Sequence, residues 1–246
     1  MTENLDSISF IRLSNLSKIF QVASTQFIAL KDINITFHKH EFTAVVGRSG
    51  SGKSTLMNMI TGIDKPTSGE VLVEGLEIHK LSETEMAKWR GENLGIVFQF
   101  YQLIPVLTLL ENVMLPMQIA GKYSGAEQME RAQNLLARVN LQSSANKRPH
   151  MVSGGQQQST AIARALANDP PVLIADEPTG NLSSTEAENV FKIFQSLSSA
   201  GKTIIMVTHD EDLANRAQRV LKLVDGRMIN DKKNHLPSLT QSGGQK

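Results

Sequence analysis

Phe42-Thr-Ala-Val-Val46-Gly47-Arg-Ser-Gly-Ser-Gly52-Lys53-Ser54-Thr55 decides how this chain folds. A short apolar run stops at a glycine and serine loop, and Leu56, Met57, Met59 and Ile60 follow at helical spacing. Strand, glycine loop and helix in that order are the setting a phosphate-binding loop needs. The loop satisfies G-x-x-x-x-G-K-[ST] without error. Its glycines let backbone amides turn inward around anionic oxygens, and the N-terminus of the following helix adds positive potential. Gly47, Ser49, Gly50, Ser51 and Gly52 are therefore candidates for a cradle around a nucleotide's phosphates. Lys53 would reach the β- and γ-phosphates, the Ser54 hydroxyl would ligate Mg2+, and Thr55 would cover the α-phosphate.

A second stretch, Pro171-Val-Leu-Ile-Ala-Asp176-Glu177, completes that chemistry. A buried strand ending in a carboxylate would deliver Asp176 to the metal opposite the loop. Glu177, one residue on, would hold and polarise an attacking water. The two stretches together indicate a P-loop NTPase, a class that spans kinases, GTPases and helicases. Ile33, Ile35 and Phe37 alternate with polar residues as a half-buried strand does, while Val172–Ala175 and Thr203–Val207 are continuous apolar runs of the kind buried on both faces. Helical periodicity between them, at Val190, Phe191, Phe194 and Leu197, predicts an α/β domain with a mainly parallel sheet. Leu109–Leu141 reads as helical, as does Gln156–Ala167. Val220–Val224, Asp225-Gly226 and Arg227–Ile229 read as a hairpin with a primed turn.

Composition bounds the partners. The 246 residues carry 25 basic and 24 acidic side chains, a net charge of +1, so no nucleic-acid partner is expected. Cysteine is absent, which removes disulfides, thiolate nucleophiles and zinc–thiolate sites. The polar, acidic Met1–Ser7 segment does not resemble a signal peptide, and no apolar run approaches the ~18 residues of a membrane helix. Any membrane association is expected to come through a partner, with the chain on the cytoplasmic side.

Val152-Ser153-Gly154-Gly155-Gln156-Gln157-Gln158 resembles the signature of ABC ATPases, and it is followed by an Ala-Ile-Ala-Arg-Ala-Leu helix at 161–166. Two glycines at a helix start, beside a serine hydroxyl, form another anion site. A second copy of the tetrapeptide, Ser242-Gly243-Gly244-Gln245, has no helix after it and is read as a solvated tail. In the ABC family one protomer's signature caps the γ-phosphate held by the other, a role carried here by Ser153, Gly154, Gly155 and Gln156. Gln99 matches the glutamine that senses Mg2+ and water and links to a helical subdomain. His209 matches the switch histidine at the γ-phosphate. Phe20 occupies the place of the adenine-stacking aromatic, with Phe27 a competing position. On this resemblance Lys53, Gln99, Glu177 and His209 are the catalytic set, and Ser54, Gln99 and Asp176 are the metal set.

The resemblance covers roughly Ile8 to Ile229 and implies an α/β P-loop (RecA-like) core, three-layer αβα, with an antiparallel β subdomain and an inserted α-helical subdomain. The expected division is a flexible segment 1–7, an ATPase domain 8–230, and a flexible tail 231–246. Within the domain, the core and β parts fall at 8–98 and 168–230, and the helical part at about 99–167. The Gln99-Phe-Tyr-Gln-Leu-Ile-Pro and Ala175-Asp-Glu-Pro-Thr-Gly-Asn-Leu182 stretches look like the macrolide-exporter and lipoprotein-release ATPases. That branch implies ATP and Mg2+, a second protomer in an ATP-bound homodimer, an integral membrane permease, and a peripheral position on the inner face of the cell membrane. Cargo would be a lipid, lipoprotein, peptide or drug. Phe100, Tyr101, Leu103, Ile104 and Leu107 are either a docking groove or subdomain core. Ser183 stands where the family usually has Asp, and Ser159 where it usually has Arg. Two rivals remain: a subunit that signals or transmits force across the membrane, and a soluble ABC ATPase acting on nucleic acid or ribosomes.

Overall fold

The computed structural model describes residues 9–234; the expected N-terminal segment 1–7 and the second glycine tetrapeptide at 242–245 lie outside them. Ten strands and seven α-helices follow in the order β1 (Ser9–Val22), β2 (Thr25–His38), β3 (Phe42–Val46), α1 (Lys53–Thr61), β4 (Ser68–Val73), β5 (Leu76–Glu77), α2 (Glu83–Asn93), β6 (Leu94–Val97), α3 (Leu109–Ala120), α4 (Gly125–Arg138), α5 (Gly154–Ala165), β7 (Val172–Asp176), α6 (Ser184–Ser199), β8 (Thr203–Thr208), α7 (Glu211–Ala214), β9 (Arg219–Val224) and β10 (Arg227–Lys233).

Two sheets result. β2-β1-β4-β5 is antiparallel throughout. The larger sheet has the order β10-β9-β3-β8-β7-β6 and is parallel except for the β9–β10 hairpin. The central strands bury both faces, and the twofold alternation of side chains divides their residues between two cores. Ala44, Val46, Leu173, Ala175, Ile204 and Met206 face a core completed by α3, α4, α5 and α6. Val45, Val172, Ile174, Ile205, Val207 and Leu221 face the other, completed by α1, α2 and the antiparallel sheet. The parallel sheet thus lies between helical layers, with the smaller sheet packed beside α1.

Within the helical insertion between β6 and β7, the stretch Leu109–Leu141 that reads as helical is divided into two helices. Gly121, at φ 61°, ends α3 in a left-handed cap, and Ser124 begins α4 with a capping box to Glu127. Asp231, Lys232 and Lys233, expected to belong to the tail, instead pair with Leu221, Val220 and Arg219. Arg219 anchors this edge: its guanidinium, 5% exposed, donates to both Asp231 carboxylate oxygens at 2.7 and 2.6 Å and to the Thr36 carbonyl at 2.6 Å. The Asp225-Gly226 turn has φ of 47° and 71°, the primed geometry expected of it.

Candidate functional site

The parallel strands deliver four chain segments to one edge. β3 ends at the phosphate loop, β8 before His209, β7 at Asp176 and β6 just before Gln99. This is the carboxyl edge of the sheet, where α/β folds bind their ligands. A cleft of about 620 Å3 there is lined by Ser49, Gly50, Gly52, Lys53, Ser54, Thr55, Gln99, Glu177, His209, Phe27 and Ala29.

The loop is shaped for an anion. Gly52 precedes α1 at φ 104°, and a Cβ on it would stand 2.5 Å from the Ala29 carbonyl oxygen. No L side chain fits there without displacing β2. α1 begins with no side-chain cap, whereas the other six α-helices among the described residues are each capped by a serine, threonine or aspartate. The first amides of an uncapped helix need an outside acceptor. Lys53, 8% exposed, donates to the Gly47 and Arg48 carbonyls at 2.8 and 3.1 Å and lies 3.8 Å from Glu177. Its ammonium therefore sits inside the loop, within the space a phosphate group needs.

Asp176 carries the clearest mark of a cation-binding group. Its Oδ1 is buried with no hydrogen-bond partner. Burial raises its pKa, opposed by a hydrogen bond from Ser54, with the neighbouring Glu177 charge raising it further. Mg2+ would satisfy such a group, because it is bound through one or two carboxylates and keeps several waters. Glu177 stands in the left-handed region at φ 46°, its amide donating to the Val207 carbonyl at 2.9 Å. Its Oε2 meets His209 Nδ1 at 2.7 Å and accepts from the His209 amide at 3.2 Å. The carboxylate is thus fixed by β8 and turned toward the cleft.

The structure brings together Lys53, Ser54, Thr55, Gln99, Glu177 and His209 as expected residues of one cleft. Gly47 and Ser51 belong to the same loop without lining it; Ser51 Oγ is buried and lacks a partner. Phe20 does not line the cleft, but Phe27 does. The two are directly paired across β1 and β2, and Phe20 lies under the Lys18 ammonium at 4.9 Å.

Ser153, Gly155 and Gln156 lie elsewhere. With Ser159 and Glu186 they line a separate cleft of about 500 Å3 that shares no residue with the first. Ser153 and Gln156 form the capping box of α5. Gly154 packs under the Tyr101 hydroxyl, which would lie 2.7 Å from a Cβ at that position. Ser159 is buried, and its hydroxyl donates to the Gly155 carbonyl at 2.8 Å. Ser183 caps α6 in a box with Glu186. Two further residues were not singled out by sequence. Gln158, fully buried, donates to the Phe98 carbonyl at 3.2 Å and ties α5 to the segment carrying Gln99. Glu186 accepts from the Gly155 amide at 3.0 Å. Only the capping spacing Ser183-x-x-Glu186 hinted at the latter.

The apolar cluster after Gln99 divides. Leu103 packs on the helical core, whereas Phe100 is 70% exposed. A groove of about 810 Å3 runs beside it, lined in part by Phe98, Gln102, Leu115 and Ile119. No helix among the described residues is long and apolar enough to cross a membrane.

The ABC transporter family model matches residues 30–180. The lipoprotein-releasing system ATP-binding protein LolD 1 of Chlorobium chlorochromatii is 44% identical over 226 residues, 91% of this chain and 92% of that one. The macrolide export ATP-binding/permease protein MacB of Mannheimia succiniciproducens is 42% identical over 228 residues, which are 93% of this chain but 35% of that longer protein. Among solved structures, the dimeric post-hydrolysis state of an ATP-binding cassette of Methanocaldococcus jannaschii, bound to ADP and Pi, superposes with a TM-score of 0.84 at 41% identity, covering 91% of this chain and 98% of that one. With its motifs in family order and its cleft assembled at the carboxyl edge of the sheet, the chain belongs to the ABC transporter family as an ATP-binding, ATP-hydrolysing subunit.

Proposed function

We propose that two copies of this chain close on two Mg-ATP and drive a separate membrane permease that exports or extracts a lipid, lipoprotein, peptide or drug. The observation that carries the reading is the separation of the two anion sites. Lys53 and the loop amides lie in one cleft, and Ser153 and Gly155 in another that shares no lining residue with it. One nucleotide spans both only if the second site comes from a partner copy. The dimeric M. jannaschii cassette supports that arrangement.

Within each composite site, the loop amides and Lys53 bind the triphosphate, and Phe27 stacks on the base with Phe20 beside it. Ser54, Asp176 and Gln99 would hold Mg2+, which would supply charge neutralisation to the triphosphate. Glu177 accepts a proton from the attacking water as the γ-phosphate is cleaved, and His209 holds that carboxylate in position. Gln99 carries the state of the cleft to the helical part, about residues 99–167, which moves against the core and β parts. The groove beside Phe100 and Ile119 receives an apolar segment of the permease, keeping the ATPase peripheral on the cytoplasmic face. That relatives such as the MacB protein are ATP-binding/permease proteins, much longer than this chain, supports such a partner.

The test is to isolate a tagged Glu177→Gln variant from native membranes with ATP and Mg2+. Turnover falls by roughly 10²–10⁴-fold, the scale of a lost general base, while an integral membrane protein co-purifies. Recovery of soluble or nucleic-acid partners alone would overturn the transport reading, and near-normal turnover would remove Glu177 from its role.

A further inference from the structure

Glu186 already fills the anion site at the start of α5. The Gly155 amide donates to its Oε1 at 3.0 Å, and the Ser183 hydroxyl and amide donate to its Oε2 at 2.8 and 3.3 Å. The fit is close enough to require glycine, since a Cβ on Gly155 would stand 2.9 Å from both Cβ and Cγ of Glu186. The Gly155 amide, followed by the Ser183 and Ser153 hydroxyls, holds the carboxyl down to about 2. It is therefore ionised throughout the neutral range.

The Gly155 amide and the Ser153 hydroxyl are the same donors that the sandwich reading gives to the γ-phosphate of a nucleotide on the partner copy, and the inference rests on that reading. A single N–H cannot serve two anions at full strength, and a carboxylate beside a γ-phosphate repels it. We propose that Glu186 is a built-in competitor of the γ-phosphate, occupying the second anion site of the separated protomer and leaving it when two copies close on ATP. The Oε2 contacts to Ser183 provide the resting place. If they persist, the carboxylate needs only to release Gly155 to clear the site, and the cap of α6 survives.

The test uses the full chain in the Glu177→Gln background, where bound ATP persists. The ATP concentration giving half-maximal dimer is measured by light scattering, with Glu186 intact and as Glu186→Gln. Glutamine keeps an oxygen for Ser183 but removes the charge. The expected result is a dimer formed at roughly fivefold lower ATP, the factor set by exchanging a charge-assisted for a neutral hydrogen bond. Binding of a fluorescent ATP analogue to dilute monomer stays unchanged, and thermal unfolding checks that the α6 cap is retained. An unchanged or higher ATP requirement, with monomer binding and unfolding preserved, would overturn the proposal. Failure of the Glu177→Gln parent itself to dimerise with ATP would instead bring down the sandwich reading on which it stands.

Discussion

Replacing Asp176 by Asn should make the empty protein more stable while destroying its activity. The carboxylate is buried with one oxygen unpartnered, and burial is the main reason its pKa is raised. An unsatisfied buried group costs about 1–3 kcal/mol when neutral and more when charged, so an amide costs less there although it too is unpartnered, and the lost attraction to Lys53 offsets part of the difference. A net gain of about 1–2 kcal/mol for the neutral amide corresponds to a rise in Tm of roughly 2–8 °C for a domain of this size. The pH dependence follows from the sign of the shift. Because the folded pKa is raised, the stability tied to this group is fully present below the ordinary carboxylate value and is lost as pH rises through the folded value. The advantage of the variant is therefore greatest near neutrality and closes as pH falls toward ~4. Calorimetry in EDTA, without nucleotide, reads the effect. Adding Mg-ADP at about a hundred times its Kd stabilises the wild type by about 2.7 kcal/mol. The variant has lost a metal ligand and gains far less, so the order of stability reverses. A variant less stable than wild type in EDTA at neutral pH would refute the reasoning, since the carboxylate would then be a structural asset rather than an unmet metal ligand.

Phe27→Ala should raise the ATP concentration for half-maximal turnover by roughly 5–150-fold, the scale of one lost base–aromatic stack. Phe20→Ala should change it by less than about threefold, because Phe20 stands outside the cleft; equal effects in ATP titrations would contradict the assignment. Arg219→Ala should cost about 2–4 kcal/mol in urea unfolding, since it strips a buried guanidinium from Asp231 and the Thr36 carbonyl. Arg219→Lys should not restore it, as one ammonium cannot reproduce the two-pronged pairing with Asp231; a loss under ~1 kcal/mol for the alanine variant would mean that the β10 edge is not anchored there.

Sequence reading went furthest where the chemistry is local. The phosphate loop, Asp176-Glu177 and His209 each follow directly from an apolar strand, so naming the strand also located the residue at its end. Gln99 was found the same way, through β6. The aromatic at the cleft was harder. Phe20 and Phe27 are cross-strand partners in a pair whose register shifts between Leu13 and Leu16, between Leu16 and Lys18, and between Lys18 and Ile19. Linear spacing does not show which of the two a twisted, bulged ribbon presents. Leu109–Leu141 kept a helical look across its break because Gly121 and Ser124, the stop and the start, are only three positions apart. Glu186 was out of reach altogether. Its spacing from Ser183 announces a helix cap, but its bond to Gly155 joins residues 31 positions apart through the packing of α6 on α5.

The absence of any shared residue between the two clefts has a genetic corollary. In a sandwich of two copies, a subunit damaged only in its phosphate loop, such as Lys53→Ala, still offers an intact α5 start. A subunit damaged only at Gly155 still offers an intact loop. Either variant alone forms only crippled sites, whereas a mixed pair concentrates both lesions in one composite site and leaves the other wholly undamaged. Two inactive alleles expressed together should therefore restore up to one working site per mixed dimer, and two alleles hit in the same cleft should restore none.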